Sequence, residues 1–155
     1  MTDVHSVETR SRNMAAIRGK NTKPEMLIRR ALFSRGYRYR LHCSELPGKP
    51  DLVLPKYRVV IQVQGCFWHQ HCCRYFKWPE TRPEFWRTKI EGNVARDQEA
   101  LYRLKIEDWR VLIIWECALK GRPPNEFKVL VDEVEIWLRS DTEYLELPVP
   151  TFSGC

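Results

Sequence analysis

The chain contains 155 residues, of which 43% are apolar and 30% charged, and its formal net charge is +6. This length and apolar share predict a single domain with a core of its own. No stretch approaches the roughly 20 apolar residues of a membrane span, and the polar N-terminal segment lacks the apolar region of a signal peptide. We therefore expect a soluble, cytoplasmic protein without a membrane partner. We also expect a monomer.

The basic charge is concentrated in the first third of the chain. Residues 1–50 contain eleven Lys or Arg and four Asp or Glu, whereas the remaining residues are nearly balanced. Such a local excess favours a polyanion partner, because cationic side chains that contact phosphates release counterions. A solvated basic face explains the charge alone equally well.

The opening residues, about 1–20, predict a basic arm. Met14 and Ile17 lie three residues apart among basic side chains, so the segment is too polar for a core helix. An arm along nucleic acid would present these two apolar residues as a wedge. Its phosphate-contacting side chains would be Arg10, Arg12 and Arg18. A frayed basic terminus is the alternative.

The first predicted helix follows a capping box. Thr22 and Glu25 lie three residues apart, so each side chain can bond the other's free backbone amide, and Pro24 suits the first helical turn. Apolar residues at core spacing continue to Gly36, where we expect the helix to end. Capping explains Glu25 completely, and a place in an active site is the alternative.

Two short apolar runs, 50–55 and 58–64, predict a β-hairpin at the centre of a sheet. Asp51 lies at the entrance of the first strand, and Gln62 and Gln64 lie on one face of the second. A carboxylate in this position is a candidate Mg²⁺ ligand, because Mg²⁺ is typically held by few carboxylates together with waters and phosphate oxygens. A turn-forming Asp after proline explains the pattern equally well.

The loop 65–73 concentrates metal-binding side chains. Cys66, His71 and Cys73 are sulfur and imidazole donors, which Zn²⁺ favours in a closed tetrahedron. Cys117 is the natural fourth donor, since the apolar run before it predicts a strand whose end can return to this loop. Six cysteines clustered with histidine suit a reducing compartment and a structural zinc site better than disulfides. Buried thiols without metal are the alternative.

Other residues of this loop are not needed for zinc. His69 is left free by the four donors above, and a rigidly held free imidazole is what a general base requires. The alternatives are His69 as a ligand in place of His71, and Cys72 in place of its neighbour. Phe67 and Trp68 could be wedged between base pairs, although core packing is the commoner fate of such aromatics.

A long helix is predicted over 83–109. Trp86 begins its apolar pattern, while Lys89 and Asn93 lie near one another and Asp97 follows one turn later. These polar side chains are candidates for reading a DNA groove, and simple solvation is the alternative.

The rest of the chain predicts core elements and a tail. The run 111–115 has the pattern of a buried strand, and the helix at about 126–138 has one apolar face. Residues 141–155 are acidic and proline-bearing, so we expect a loosely ordered tail after a single domain over 1–140. Two classes of function remain compatible with this pattern: a nucleic-acid enzyme, or a zinc-stapled DNA-binding module without chemistry.

Six ordered blocks resemble the very short patch repair endonucleases, the Vsr family of bacterial enzymes that nick T:G mismatches. The resemblance runs from about Thr9 to Arg122. The blocks are 10–14, 21–25, 47–51, 65–69, 84–97 and 111–119. The family resemblance implies an α/β restriction-endonuclease-like fold, in which helices flank a mixed central sheet and a structural zinc site is present.

The resemblance also implies an activity and its partners. The reaction would be Mg²⁺-dependent nicking of one strand 5′ of the thymine in a T:G mispair, which arises by deamination of 5-methylcytosine. A repair polymerase and a ligase would act afterwards, and a cytosine-5 methyltransferase would be the functional companion.

Roles for individual residues follow from the same resemblance. Mg²⁺ would be held by Asp51 and the main-chain carbonyl of Val63. His69 would be the general base, oriented by Glu25, while Asp97 would act on metal-bound water. The implied zinc ligands are Cys66, His71, Cys73 and Cys117. Side chains entering the duplex beside the mismatch would be Phe67, Trp68 and Trp86 from one groove and Met14 and Ile17 from the other, with Lys89 and Asn93 on nearby bases.

Gln64 departs from the family pattern, since relatives often carry His or Asp at this position. An amide neither transfers a proton at neutral pH nor brings charge to a metal, so Gln64 would only order water. Slower turnover or altered metal preference would follow. The alternative function is therefore a zinc-stapled protein that binds mismatched DNA with weak or no cleavage.

Overall fold

The computed structural model describes residues 20–150. The basic arm predicted at the N-terminus lies outside this range, and so do the residues assigned to it, namely Arg10, Arg12, Met14, Ile17 and Arg18. Within the described range, none of the helices combines the length and apolarity that crossing a membrane requires.

Three α-helices and five strands make up the described fold. The helices are α1 (Lys23–Ser34), α2 (Pro83–Ile106) and α3 (Pro124–Leu138). The strands are β1 (Arg40–Leu41), β2 (Leu52–Leu54), β3 (Val59–Gln64), β4 (Arg110–Trp115) and β5 (Tyr144–Leu147). Short 3-10 turns occupy Pro55–Tyr57 and Glu116–Ala118.

The strands form one mixed sheet in the order β1-β2-β3-β4-β5. The pairs β1–β2 and β2–β3 are antiparallel, whereas the pairs β3–β4 and β4–β5 are parallel. The predicted hairpin is thus confirmed as β2 and β3, and the predicted α/β architecture with a mixed central sheet is confirmed as well. Parallel neighbours require crossovers, which α2 and α3 supply.

Helices cover both faces of the sheet. Ile28 of α1 and Val134 of α3 pack in one buried cluster with Ile61 and Ile114 of the sheet. On the opposite face, Leu104 of α2 packs against the alternate positions of the same strands. Because side chains alternate along a strand, Gln62 and Gln64 of β3 face α2.

The expectation of a loosely ordered tail is wrong for residues 144–147. This segment pairs in parallel with β4, and Leu147 at its end is buried. Its acidic composition suggests solvent exposure, but Leu145 also packs against the core cluster. Parallel pairing with the buried β4 outweighs the polar composition of this strand.

One predicted boundary also shifts, and left-handed residues mark the ends of two elements. Strand β1 ends at Leu41, and the next residue, His42, adopts a left-handed conformation with φ of 47°. The long helix ends at Ile106, three residues earlier than expected, and Asp108 with φ of 64° turns the chain into β4. In both cases a single left-handed residue changes the chain direction.

Candidate active site

One groove of about 920 Å³ gathers residues from the start of α1, the edge of the β2–β3 hairpin, the loop after β3 and the first half of α2. The candidate catalytic residues that line it are Glu25, Asp51, Val63, Gln64, His69 and Asp97. The candidate DNA-contacting residues that line it are Phe67, Trp68, Trp86, Lys89 and Asn93. The groove therefore holds every catalytic and DNA-contacting candidate of residues 20–150.

Asp51 lies immediately before β2, and its carboxylate contacts the backbone of the neighbouring strand β3. Its Oδ2 accepts a hydrogen bond from the backbone N–H of Val63 at 2.8 Å. Burial raises the pKa of Asp51 to about 6, and the nearby carboxylate of Glu25 adds to this rise, although the bond from Val63 opposes it. A cation beside Asp51 would offset the cost of burying its charge.

Glu25 is 2% exposed and lies in the first turn of α1, where the Thr22 half of the predicted capping box forms but the Glu25 carboxylate bonds Asn21 in place of Thr22. Its backbone N–H donates to Thr22 Oγ1 at 3.4 Å, and its carboxylate accepts from the backbone N–H of Asn21 at 3.3 Å. The side chain also contacts Arg29 at 3.2 Å and His42 Nε2 at 2.7 Å. Glu25 therefore both stabilises the start of α1 and lines the groove.

The implied contact of Glu25 with His69 is wrong. Glu25 is bonded to His42, whereas His69 Nδ1 is hydrogen-bonded to Asp97 Oδ2. The reason is topological: Glu25 begins α1 beside the β1 end of the sheet, while the loop after β3 carries His69 towards α2. Asp97 therefore orients His69.

A neutral imidazole bonded through Nδ1–H leaves Nε2 as an acceptor. This is the arrangement that a general base needs, because the bonded carboxylate also stabilises the protonated ring. Gln64 ends β3 beside this pair and lines a smaller cavity of about 260 Å³ together with His69 and Asp97. The amide of its neighbour Gln62 is bonded to the carbonyl of Gly48 at 3.0 Å.

His42 is a site residue that the sequence analysis missed. Its backbone N–H donates to the carbonyl oxygen of Asp51 at 3.0 Å, and its ring meets Glu25. The donor atoms of His42, Glu25 and Asp51 lie within 4.8 Å of one another. No motif in the sequence marks His42; its position directly after β1 brings it next to Asp51.

A second group of donors consists of the four predicted residues Cys66, His71, Cys73 and Cys117, whose donor atoms lie within 4.8 Å of one another. Cys117 Sγ and His71 Nδ1 are 3.4 Å apart, close to the roughly 3.5 Å that tetrahedral bonds of about 2.3 and 2.0 Å require. The group includes Cys73 and excludes His69, as predicted.

The surroundings of this group also suit a metal ion. Burial raises the pKa of the Cys66 and Cys117 thiols, so a bound cation would be needed to keep them as thiolates. The His71 ring stacks on Trp115 at 4.0 Å between centroids and with an 8° angle. Trp115 Nε1 in turn donates to Glu146 of β5 at 2.6 Å.

Aromatic side chains form the other end of the groove. The rings of Phe67, Trp68 and Trp86 are mutually in contact, with centroid distances of 5.3, 5.4 and 5.8 Å. All three are only partly buried. Asn93 Nδ2 donates to the backbone carbonyl of Trp68 at 3.0 Å and so ties the loop to α2. Partly exposed aromatics held in this way offer a surface for base stacking.

Comparison with known proteins agrees with this geometry. The sequence model of the family described as DNA mismatch endonuclease Vsr matches residues 2–75. DNA mismatch endonuclease Vsr of Escherichia coli (strain K12) is 46% identical over 138 residues, which cover 89% of this chain and 88% of that protein. The type II nicking enzyme V.XorIIP of Xanthomonas oryzae pv. oryzae is 50% identical over 119 residues, or 77% of this chain and 88% of that enzyme. The chain therefore belongs to the Vsr family of DNA mismatch endonucleases.

Proposed function

We propose that the protein nicks one strand of duplex DNA 5′ of the thymine in a T:G mispair and so initiates very short patch repair. The observation that carries this proposal is the groove, which brings a buried carboxylate, a carboxylate-bonded histidine and three partly exposed aromatic rings onto one surface. The groove fits a nuclease that recognises a weakened base-pair step. The relatives of this chain include a protein named as a DNA mismatch endonuclease.

Asp51 would hold Mg²⁺ together with the main-chain carbonyl of Val63. The fit rests on a partly buried carboxylate with one oxygen bonded to the Val63 amide, which leaves the other oxygen for a cation. When bound, Mg²⁺ would supply positive charge that neutralises a phosphate oxygen of the DNA. Glu25 would add negative charge on the same side of the groove.

His69 would take a proton from the attacking water through Nε2. Asp97 fixes the ring through Nδ1 and stabilises the charge that His69 acquires. Gln64 borders the same space and would donate a hydrogen bond to that water or accept one from it. Its amide would stay neutral throughout. Proton transfer is therefore assigned to His69 alone.

The aromatic rings of Phe67, Trp68 and Trp86 would enter the duplex beside the mispair. Unstacking a step costs a few kcal/mol and costs least where the pairing is already weak, so the wedge favours a mismatch over a matched pair. Lys89 and Asn93 line the groove next to these rings and would contact neighbouring bases.

A structural zinc ion held by the Cys₃His group would fix the loop that carries Phe67, Trp68 and His69. Its ligands come from the loop and from the 3-10 turn after β4. The position of the loop would then be set by the core of the sheet, which gives the precision that catalysis needs.

A repair polymerase and a ligase would complete repair after the nick. The protein would serve a cytosine-5 methyltransferase, because the 5-methylcytosine that this enzyme makes deaminates to thymine.

The proposal is tested with a nicking assay on a labelled duplex carrying one T:G pair. Full-length protein with Mg²⁺ should nick the thymine strand 5′ of the mispair and leave the matched duplex intact. His69→Ala should bind the same duplex but leave it uncut. Wild-type protein that binds the mispair without nicking it would support the zinc-stapled binding module instead.

A further inference from the structure

We propose that His42, Glu25 and Asp51 form a mixed nitrogen and oxygen site that binds Mn²⁺ more tightly than Mg²⁺. The inference rests on the proposed function in one respect, since Asp51 belongs to the proposed active site. It adds two ligands to Asp51 and changes the class of ion that the groove prefers.

The donor distances fit one ion. An octahedral ion with bonds of about 2.1 Å places neighbouring donors roughly 3 Å apart and opposite donors roughly 4.2 Å apart. His42 Nε2 and Glu25 Oε2 are 2.7 Å apart, and all three residues bring a donor within 4.8 Å of the other two. Small adjustments of side chains therefore suffice to enclose an ion.

The fold holds the three ligands before any ion binds. The backbone N–H of His42 donates to the carbonyl oxygen of Asp51, which joins two of the ligands. Glu25 is held by its backbone bond to Thr22 and by the ion pair of its carboxylate with Arg29. The side chains of Glu25 and His42 are only 2% and 15% exposed. Little side-chain entropy remains to be lost on binding, which favours affinity.

The charges and donor types select the ion. Glu25 and Asp51 are two carboxylates at close range in a largely buried position, so a divalent cation between them offsets their repulsion. Mn²⁺ favours oxygen ligands as Mg²⁺ does, but as a first-row transition ion it accepts an imidazole nitrogen more readily than Mg²⁺, which keeps its waters. His42 therefore shifts the balance towards Mn²⁺.

The test uses full-length, zinc-loaded protein without DNA, with Mn²⁺ as the probe. Mn²⁺ binds most weakly in the first-row divalent series, and thiolate ligands favour Zn²⁺ over it, so it leaves zinc at the cysteine site. Electron paramagnetic resonance gives the Mn²⁺ affinity, and added Mg²⁺ gives the ratio of the two affinities. Spin-echo modulation from a ¹⁴N nucleus reports a directly bound imidazole.

The wild type should show one tight Mn²⁺ with imidazole ¹⁴N modulation. His42→Gln keeps a hydrogen-bond donor towards Glu25 but removes the nitrogen ligand, so the modulation should vanish and the Mn²⁺ to Mg²⁺ affinity ratio should fall about tenfold. Leu41→Gln, which adds the same side chain at the neighbouring exposed position, should behave as the wild type.

Absence of ¹⁴N modulation in the wild type, or an unchanged affinity ratio in His42→Gln, would overturn the inference. Because the measurement involves no DNA, either result leaves the nicking assay with Mg²⁺ as a separate test of the proposed function. Conversely, a protein that binds Mn²⁺ through His42 but nicks no mispair would contradict the function and retain the metal site.

Discussion

His69 and Asp97 are hydrogen-bonded through Nδ1 and Oδ2, although 28 positions separate them in the chain. The bond joins the loop after β3 to the middle of α2. The orientation of the imidazole ring is therefore fixed by two elements on the same face of the sheet. It leaves Nε2 as the nitrogen available to the groove.

Replacing Asp97 by Asn should lower the nicking rate about 10²- to 10⁴-fold, while affinity for the T:G duplex changes little. An amide carries no charge to stabilise protonated His69 and can also hold the ring in the wrong tautomer. Single-turnover nicking and equilibrium binding measure the two quantities separately. Glu99→Gln removes an exposed acid two positions along α2 and should nick at the wild-type rate. A rate in Asp97→Asn equal to that of this control would remove Asp97 from the mechanism.

Replacing Cys117 by Ser should release or weaken the metal and lower the melting temperature. A structural site loses its closed ligand set when one of four donors is lost, and metal binding there contributes directly to folding. Metal analysis should find about one zinc per wild-type chain and less in the variant. Cys43→Ser alters a cysteine outside the four-donor group and should retain the metal. A folded wild-type protein without zinc would contradict the assignment.

Replacing Trp86 by Ala should reduce the preference for mismatched over matched DNA. Loss of one stacking ring costs about 1 to 3 kcal/mol, or roughly 5- to 150-fold in affinity for the T:G duplex. Titration of T:G and T:A duplexes measures the preference. Tyr102→Ala removes a ring that is 65% exposed on the same helix and outside the groove, so it should leave the preference unchanged. Equal losses in both variants would mean that the aromatic cluster does not read the mispair.

Asp51 should make the protein less stable as the pH rises, when Mg²⁺ is absent. Its pKa of about 6 exceeds its ordinary value of 3.8, so the folded state binds the proton more tightly than the unfolded state. This stabilisation is complete below about pH 4 and is lost as the pH rises through 6. Between about pH 5 and pH 8, the unfolding free energy of wild type should fall by about 1 kcal/mol relative to Asp51→Asn.

Chemical denaturation of both proteins at each pH measures this difference and cancels the titration of other groups. Saturating Mg²⁺ should stabilise the wild type and not Asp51→Asn, because only the wild type offers the carboxylate. A constant difference across this pH range would show that Asp51 is not held in its buried, destabilised state.

Sequence patterns predicted the elements whose periodicity is strong. The apolar run of β4 and the apolar face of α3 are visible in the chain, and the four donors from Cys66 to Cys117 could be selected by ligand chemistry. β5 was missed because its pairing with β4 is a tertiary effect that the acidic tail does not reveal.

The partners of the site histidines were harder to predict, because they depend on which ends of the elements meet. Glu25 has a sufficient local role as a helix cap, and nothing in its neighbourhood along the chain indicates His42. The candidates that the resemblance named line one groove, but it did not name His42 and it oriented His69 by Glu25, since a motif carries residue identities and not the contacts between them.

The order of the four cysteine and histidine donors has a consequence for synthesis of the chain. Three of them leave the ribosome with the loop that carries His69, but Cys117 follows only after all of α2 has been made. The nascent loop cannot close its ligand set before that point, and β5, which supports Trp115, emerges later still. A prematurely terminated chain would therefore carry His69 without the fourth donor of the proposed metal site.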